Sequence, residues 1–554
     1  MTESLREHEE TNATNPVGKT EKFVSKHFVR ILVWLAVSGG ALAVFGPWLL
    51  YIAGSTSETD ANLRLHILYI TGGTIAVLGL VETHRKNTTD RIKAEADIQS
   101  YQTSQDHQAK TLNEQTRQFN ETIAKEREKI EADKAKNEQD HIRQVYAERR
   151  SRYTTAIEQL SSDKASIRLG GVYTLVGLVD EWLTDEKTIP NVEGRREEGQ
   201  VIINNLCAYI RSPFLLAERA EQLDKPYAKY LQKDFDGDKE KFDADKRSFA
   251  RDKAALEEER QVRLSIIKEM HEHLHNAEKP GPWSGFDYDF SNAHFFYPID
   301  FVYSYFGVFS NFSGVTFTED ANFFGAEFTG GANFNEATFT KRANFSEAKF
   351  TRGAYFSEAK FTRAVFFKAT FTKDANFFRT TFVENADFAR TTFTREANFS
   401  GATFTQANLT KTTFIGDVDF SRVTFTEDAT FFRATFIRYA DFSEATFTQV
   451  IFTKAVFVEN ADFSGAIFTK SASFFRTAFQ IEPIFVDIRW GRTYKARFSC
   501  KADQKGYNFE VSYDSPYKIE TEEKEYDGAK FIIPKDAELF DPDEPSEQGN
   551  NDDN

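Results

Sequence analysis

At 554 residues and net charge −16, with 56 phenylalanines and two cysteines, the chain is too long for one domain and too acidic for general nucleic-acid binding. Cys207 and Cys500 lie far apart, which excludes a disulfide framework and predicts free thiols in a reducing compartment. The charge is uneven: residues 312–480 carry 18 Asp+Glu against 18 Lys+Arg, whereas 481–554 carry 18 against 10.

Residues 1–30 are polar, with Lys19, Lys22, Lys26 and Arg30 leading into an apolar run. Residues 31–53 hold no charge, and 23 helical residues reach about 35 Å, enough to cross a bilayer. A second run, 65–81, follows a polar loop, so the pair reads as a two-helix transmembrane hairpin rather than a cleaved signal. Basic residues flank the hairpin on both outer sides, including Arg85 and Lys86, which predicts a multi-pass protein of the cytoplasmic (inner) membrane with both termini cytoplasmic. Gly39-Gly40 and Gly72-Gly73 offer close helix contact.

Residues 82–150 lack Gly and Pro and are rich in Gln, Lys and Glu, the composition of one long helix. Ile98, Leu112 and Phe119 keep heptad phase while Gln105 interrupts it; a coiled coil, and with it a homo-oligomer, stands beside a solvated single helix. From 151 to 282 an α-helical module is expected. Ser161 or Ser162 caps a helix with Ile167, Val172, Leu175 and Leu178 on its apolar face, and Gly170-Gly171 permits close packing. A further helix runs from Val201 to Ile210, with 184–199 as an insertion. Phe235, Phe242, Phe249 and Leu256, seven apart, form a narrow docking seam that ends before Pro280-Gly-Pro282.

Between 283 and 480 a Phe returns every five or six residues, with a small residue two positions earlier (Ala321, Ala332, Ala343, Ala354) and Asn or Asp between. Neither a 3.6-residue nor a 2-residue period keeps such rings on one face, so the pattern requires a solenoid with one inward ring per side of a coil. The expected core is Phe312, Phe317, Phe323, Phe334, Phe345, Phe356, Phe377, Phe388, Phe399, Phe420, Phe431, Phe442, Phe463 and Phe474. The 11-residue step shrinks to 10 at Phe356–Phe366, Phe399–Leu409 and Phe442–Phe452, which predicts a 43-residue block of two coils. Stacked at about 4.8 Å, the coils make a rod roughly 40 Å long. Outward positions, summed along the chain, alternate in sign and leave few exposed apolar side chains. Residues 481–540 suggest a small β cap over the open end, and 541–554 an acidic disordered tail.

The runs Ala-Asn-Phe-Ser-Gly at 397–401 and Ala-Asp-Phe-Ser-Gly at 461–465 resemble the pentapeptide-repeat family. That resemblance implies a right-handed quadrilateral β-helix with four sides per coil; here an extra residue on alternate sides gives about 22 residues per coil. Ala-Ile-Glu-Gln-Leu and Arg-Leu-Gly-Gly-x-Tyr within 156–173 resemble a HEAT-like helical module found ahead of the repeats in membrane-associated bacterial members. The family supplies no activity to carry over.

The whole therefore reads as a multidomain α + β chain: transmembrane hairpin, long helix or coiled coil, α-helical module, pentapeptide-repeat solenoid and small β cap. The expected function is a non-enzymatic, membrane-anchored scaffold presenting the rod to cytoplasmic protein partners, without cofactor, catalytic residue, metal or nucleic acid. Two alternatives stand beside this reading. His271-Glu272-x-x-His275 matches a zinc-peptidase pattern, but it sits at a helix end before a Pro-Gly-Pro break and no third ligand follows. A DNA-mimic, gyrase-directed role, carried by resemblance to other family members, needs an acidic rod, and this one is neutral in sum. Asp234–Glu240 resembles a calcium loop, with Gly237 misplaced for one.

Overall fold

The computed structural model describes residues 30, 33–34, 36–46, 48–49, 52, 65–77, 79–80, 105–227, 238–275 and 280–543. It divides into two compact units, Met1–Ala135 and Lys136–Asn554. In the first, residues 36–46 and 65–77 are helical. Gly39 and Ala43 are buried, and a Cβ on Gly39 would collide with Thr71 of the second helix. The other three glycines of the two pairs meet no neighbour. Among the described residues no helix is long and apolar enough to cross a membrane, so the predicted transmembrane hairpin at 31–53 and 65–81 is not supported by helix length.

Helix α1 is Gln105–Leu160. The seam position Ile98 lies outside the described residues, and Phe119, Ile123 and Ile130 are exposed. Beyond it come α2 (Ala165–Thr184), α3 (Val192–Arg211) and α4 (Lys239–Leu274). Two details differ from expectation. No serine caps α2: it starts after Lys164, and Ser162 Oγ instead accepts from the Lys164 amide at 3.2 Å. Val172, Leu175 and Leu178 are buried, but Ile167 is exposed. Helix α3 starts nine residues before the expected Val201, because Asn191 accepts from the Glu193 amide as its N-cap. Half of the supposed insertion is thus the first two turns of α3, where Gly199 lies against the Phe286 ring. The α4 seam packs on chain as well as helix: Tyr227 contacts the rings of Phe242 (5.7 Å) and Phe249 (5.1 Å).

From Tyr288 onward the chain winds as a β-solenoid of about nine coils. Four sides, I to IV in chain order, each stack short parallel strands on their equivalents one coil later; sides II and III share one sheet. Each side contributes an unbroken inward column. Side I holds Phe290, Phe312, Phe334 and onward, side II Phe295 and Phe317, side III Phe301 and Phe323, side IV Phe306 and Phe328. Rings within a column stack nearly parallel, as Phe323 on Phe345 at 4.8 Å and 1°. Columns I and III interdigitate edge-to-face, as Phe312 against Phe323 at 5.6 Å and 83°, so the interior is solid. All fourteen predicted core rings are at most 1 % exposed.

The 43-residue block has one structural origin. Successive coils are 22 residues apart up to Ala354, then alternate between 21 and 22. The mismatch falls at one corner, between sides II and III, where seven-residue strands such as Thr338–Asn344 lie on six-residue ones such as Lys360–Val365 and the register shifts by one.

The repeat pattern is expected to end at Phe479, but three ladders continue past it. Phe485 stacks on Phe463 (5.3 Å), Phe498 on Phe468 (4.6 Å) and Phe509 on Phe474 (5.6 Å). The small β segment is therefore a further partial coil. An antiparallel hairpin, Val486–Arg489 with Arg492–Lys495, is inserted between its first two rings, and a second, Thr521–Tyr526 with Ala529–Pro534, follows the third.

Candidate functional site

With the interior filled, any recognition by the solenoid belongs to its surface, and the surface is set by the corners. After each side I and side III ring the chain makes a four-residue turn, as where the Ala402 amide donates to Phe399 O at 2.9 Å. The third residue of each turn has positive φ, a position that favours Gly. Gly401 (φ 67°) takes it, yet Glu347, Lys368, Arg390 and Arg433 take it too, at φ 57–60°. The strain at such a residue is offset by the turn's other bonds. Where Asn or Asp precedes the ring, its side chain accepts from the amide two residues on, as Asn398 Oδ1 from Ser400 N at 2.8 Å and Asp441 Oδ1 from Ser443 N at 2.8 Å. That is why the repeat carries Asn or Asp there.

The corners sort charge that the linear sum concealed. At the corner between sides III and IV the positive-φ column reads Glu347, Lys368, Arg390, Lys411, Arg433, Lys454, Arg476. Six successive coils thus present a cation at one edge. Lys368 pairs with Glu347 at 2.9 Å; the other five have no ion pair among the described residues. Arg433 and Arg476 instead lie over Phe432 and Phe475 at 5.3 and 5.0 Å. The stretches forming that edge and side IV (366–372, 388–394, 409–415, 431–437, 452–458 and 474–480) contain no Asp or Glu. Side I holds the opposite sign, a column of Asp419, Asp441 and Asp462. Burial, opposed by the bonds from Ser443 and reinforced by the neighbouring aspartates, raises the pKa of Asp441 above the usual carboxylate range.

Nor is the outer surface free of apolar groups. Ile415, Ile437 and Val458 stack on consecutive coils beside the threonine column of side IV (Thr370, Thr392, Thr413, Thr435), and all three are exposed. The expectation that charge alternates evenly over the outer surface is corrected at this edge, and the few exposed apolar side chains include this short row.

The His271-Glu272-x-x-His275 pattern closes the junction between α4 and the solenoid. His271 Nδ1 meets Ser304 Oγ at 3.1 Å, and His275 Nδ1 meets Val302 O at 2.9 Å. His273 stacks on Trp283 at 4.2 Å, and both reach Asp180 of α2, at 3.1 and 2.8 Å. Among the described residues no three His, Cys, Asp or Glu side chains group to hold a metal. The Asp234–Gly237 segment lies outside the described residues.

Burial, opposed by Asp300 and aided by His275, lowers the pKa of His271, and burial with Arg263 lowers that of His294. In the unfolded chain both take a proton near the ordinary pKa of 6.5; in the folded chain they resist it. Their neutral forms therefore support the junction above 6.5, and that support is lost as pH falls. The melting temperature is expected to drop from neutral pH to about 5, and His271→Gln to flatten part of the drop. A His271→Gln profile parallel to wild type would remove His271 from the effect.

A buried network that sequence reasoning missed ties the module together. Arg263, 2 % exposed, donates to Glu259 (2.6 Å) and to the carbonyls of Ile210 and Ser212 (2.7 Å each) at the C-terminus of α3. Glu259 also accepts from Tyr209 Oη at 3.0 Å and pairs with Arg168 at 3.4 Å. Cys207 is buried, which pushes its thiol up to about 12, and Cys500 is half-buried; both are free.

Comparison with known proteins places the solenoid. Residues 323–370, 356–403, 388–435, 399–446 and 431–478 match the family model for pentapeptide repeats, with 9 copies. No curated protein and no solved structure matches the chain.

Proposed function

We propose that this chain, whose β-solenoid is built of pentapeptide repeats, is a non-enzymatic scaffold that holds the solenoid at the cytoplasmic face of a membrane for protein partners. The carrying observation is the division across the solenoid wall. Inward positions are filled by stacked rings, and chemical variety is confined to the outward columns, which suits recognition over a broad face better than enclosure of a small substrate.

The inverted pattern of the two N-terminal helices supports the anchor. Small Gly39 and Ala43 lie inside, while Trp34, Val37, Leu42, Phe45, Leu68 and Ile70 are exposed, an arrangement stable where the surroundings are apolar. The exposed Phe119, Ile123 and Ile130 on α1 favour self-association, which would present several solenoids together and raise avidity. The experiment is a pair of single cysteines, Ser57→Cys and Ser104→Cys, in cells treated with a membrane-impermeant thiol reagent. Labelling at 57 alone is expected; labelling at 104, or at both, would overturn the anchor and its orientation. Light scattering of the same purified chain is expected to give an oligomer, and a monomer would remove the avidity argument.

A further inference from the structure

We propose that side IV of the solenoid, with its basic corner, is a lipid-binding face that lays the rod along an anionic bilayer. This goes beyond the scaffold reading and stands on residues of the solenoid alone. Lys368, Arg390, Lys411, Arg433, Lys454 and Arg476 repeat once per coil over about 24 Å, at the coil spacing of about 4.8 Å. The stretches that carry them and side IV hold no carboxylate. On the opposite side II the same coils mix Arg379, Arg422 and Lys470 with Glu384, Glu427, Asp428 and Glu444. Cations are thus gathered along the edge between sides III and IV. The far edge of side IV mixes Asp374, Glu396, Asp417 and Glu459 with Lys373, Arg395 and Arg438, so it is the basic edge that meets a planar partner of opposite sign.

The geometry favours a lipid surface over other polyanions. Side IV is built of stacked short strands, and the hollow at its N-terminal end is lined by Glu327 and Glu347 as well as Lys349 and Lys368, which does not suit a duplex backbone. Over the six basic coils only a few phosphates of a curved double helix would come within reach at once. A single strand would need open aromatic platforms on which to stack its bases. Here Phe367, Phe432 and Phe475 beside the cations are half-buried, with Lys368, Arg433 and Arg476 lying over their rings. A bilayer needs neither groove nor register. It gains from each cation held near its surface, roughly fivefold in binding per Lys or Arg. Ile415, Ile437 and Val458, exposed along the same side, would enter the interfacial layer while the threonine column lies flat against the headgroups.

The test uses the full chain with Cys500→Ser, reconstituted into phosphatidylcholine vesicles with or without phosphatidylserine. An environment-sensitive dye is attached at Thr413→Cys on side IV or at Thr403→Cys, the equivalent position on side II, and quenched by spin-labelled lipid. Quenching at 413 is expected to rise several-fold when phosphatidylserine is present, to fall at high salt, and to exceed that at 403. Reversing four charges together (Lys368→Glu, Arg390→Glu, Lys411→Glu, Arg433→Glu) should abolish it. The fold tolerates this reversal, because Glu336, Glu347, Glu358 and Glu444 already occupy the same kind of positive-φ corner position. Equal quenching at both sites, quenching indifferent to phosphatidylserine or to the reversal, or no quenching alongside capture of a single-stranded oligonucleotide would each overturn the proposal.

Discussion

Phe399→Asp is expected to abolish cooperative folding of the solenoid, whereas Ser400→Asp, one residue on, should melt within a few degrees of wild type. Phe399 is fully buried, stacked between Phe377 and Phe420 at 4.8 Å on each side and packed edge-on against Phe388 at 5.6 Å. Removing the ring alone, as in Phe399→Ala, costs about 3–5 kcal/mol. The aspartate adds an unpaired charge in a region without polar partners, which exceeds what a domain of ordinary stability can absorb. Ser400 is half-buried in the turn, and Asn335 and Phe378 stand at its equivalents, so the site accepts larger side chains. Circular dichroism melts of the two full-length variants decide it; matching melts would mean that the inside/outside assignment is wrong.

Arg263→Met is expected to destabilise the helical module by about 3–5 kcal/mol, the usual loss when one member of a buried ion pair is removed. The change leaves the Glu259 carboxylate with only Arg168 and Tyr209, and the α3 carbonyls of Ile210 and Ser212 without their donor. Adding Glu259→Leu should recover part of that loss, because a buried carboxylate that has lost its closest cation disappears, and only part, because Arg168 and Tyr209 lose their partner in turn. Urea unfolding of wild type, single and double variants measures both steps. A single variant within experimental error of wild type would mean that the network does not hold α3 against α4.

What was legible in the sequence follows from what a period can encode. Inward ring positions repeat every five or six residues with one residue type save Leu409, so the Phe ladders and the 43-residue block could be read directly. The basic edge could not. Its six cations are 21 or 22 residues apart, and a sum along 312–480 averages four sides into neutrality. Only the assignment of corners separates Lys411 from Asp419, eight residues away but on another side. The last ladder members were hidden for a related reason: insertions stretch Phe468–Phe498 and Phe474–Phe509 past the repeat spacing, although Phe463–Phe485 keeps it. In the module, the run Glu193 to Glu198 looks like loop by charge. The structure buries Arg195 within it, donating to Ile189 O at 2.8 Å, so a polar stretch forms the start of a packed helix. The buried Arg263–Glu259 pair has no sequence signature beyond its i,i+4 spacing, which exposed helices share.

The single corner that absorbs the difference between 21- and 22-residue coils also defines where the protein accepts a change in chain length. Between sides II and III a residue enters or leaves without displacing a ring, since Phe339 still faces Phe361 and Ala343 still faces Ala364 across the shift. Gain or loss there is decoupled from the core, so drift in gene length can accumulate at that edge while the other three are held in step. For an engineer the same edge is a graft line: a short foreign segment could be carried there in a register fixed by the rings beneath.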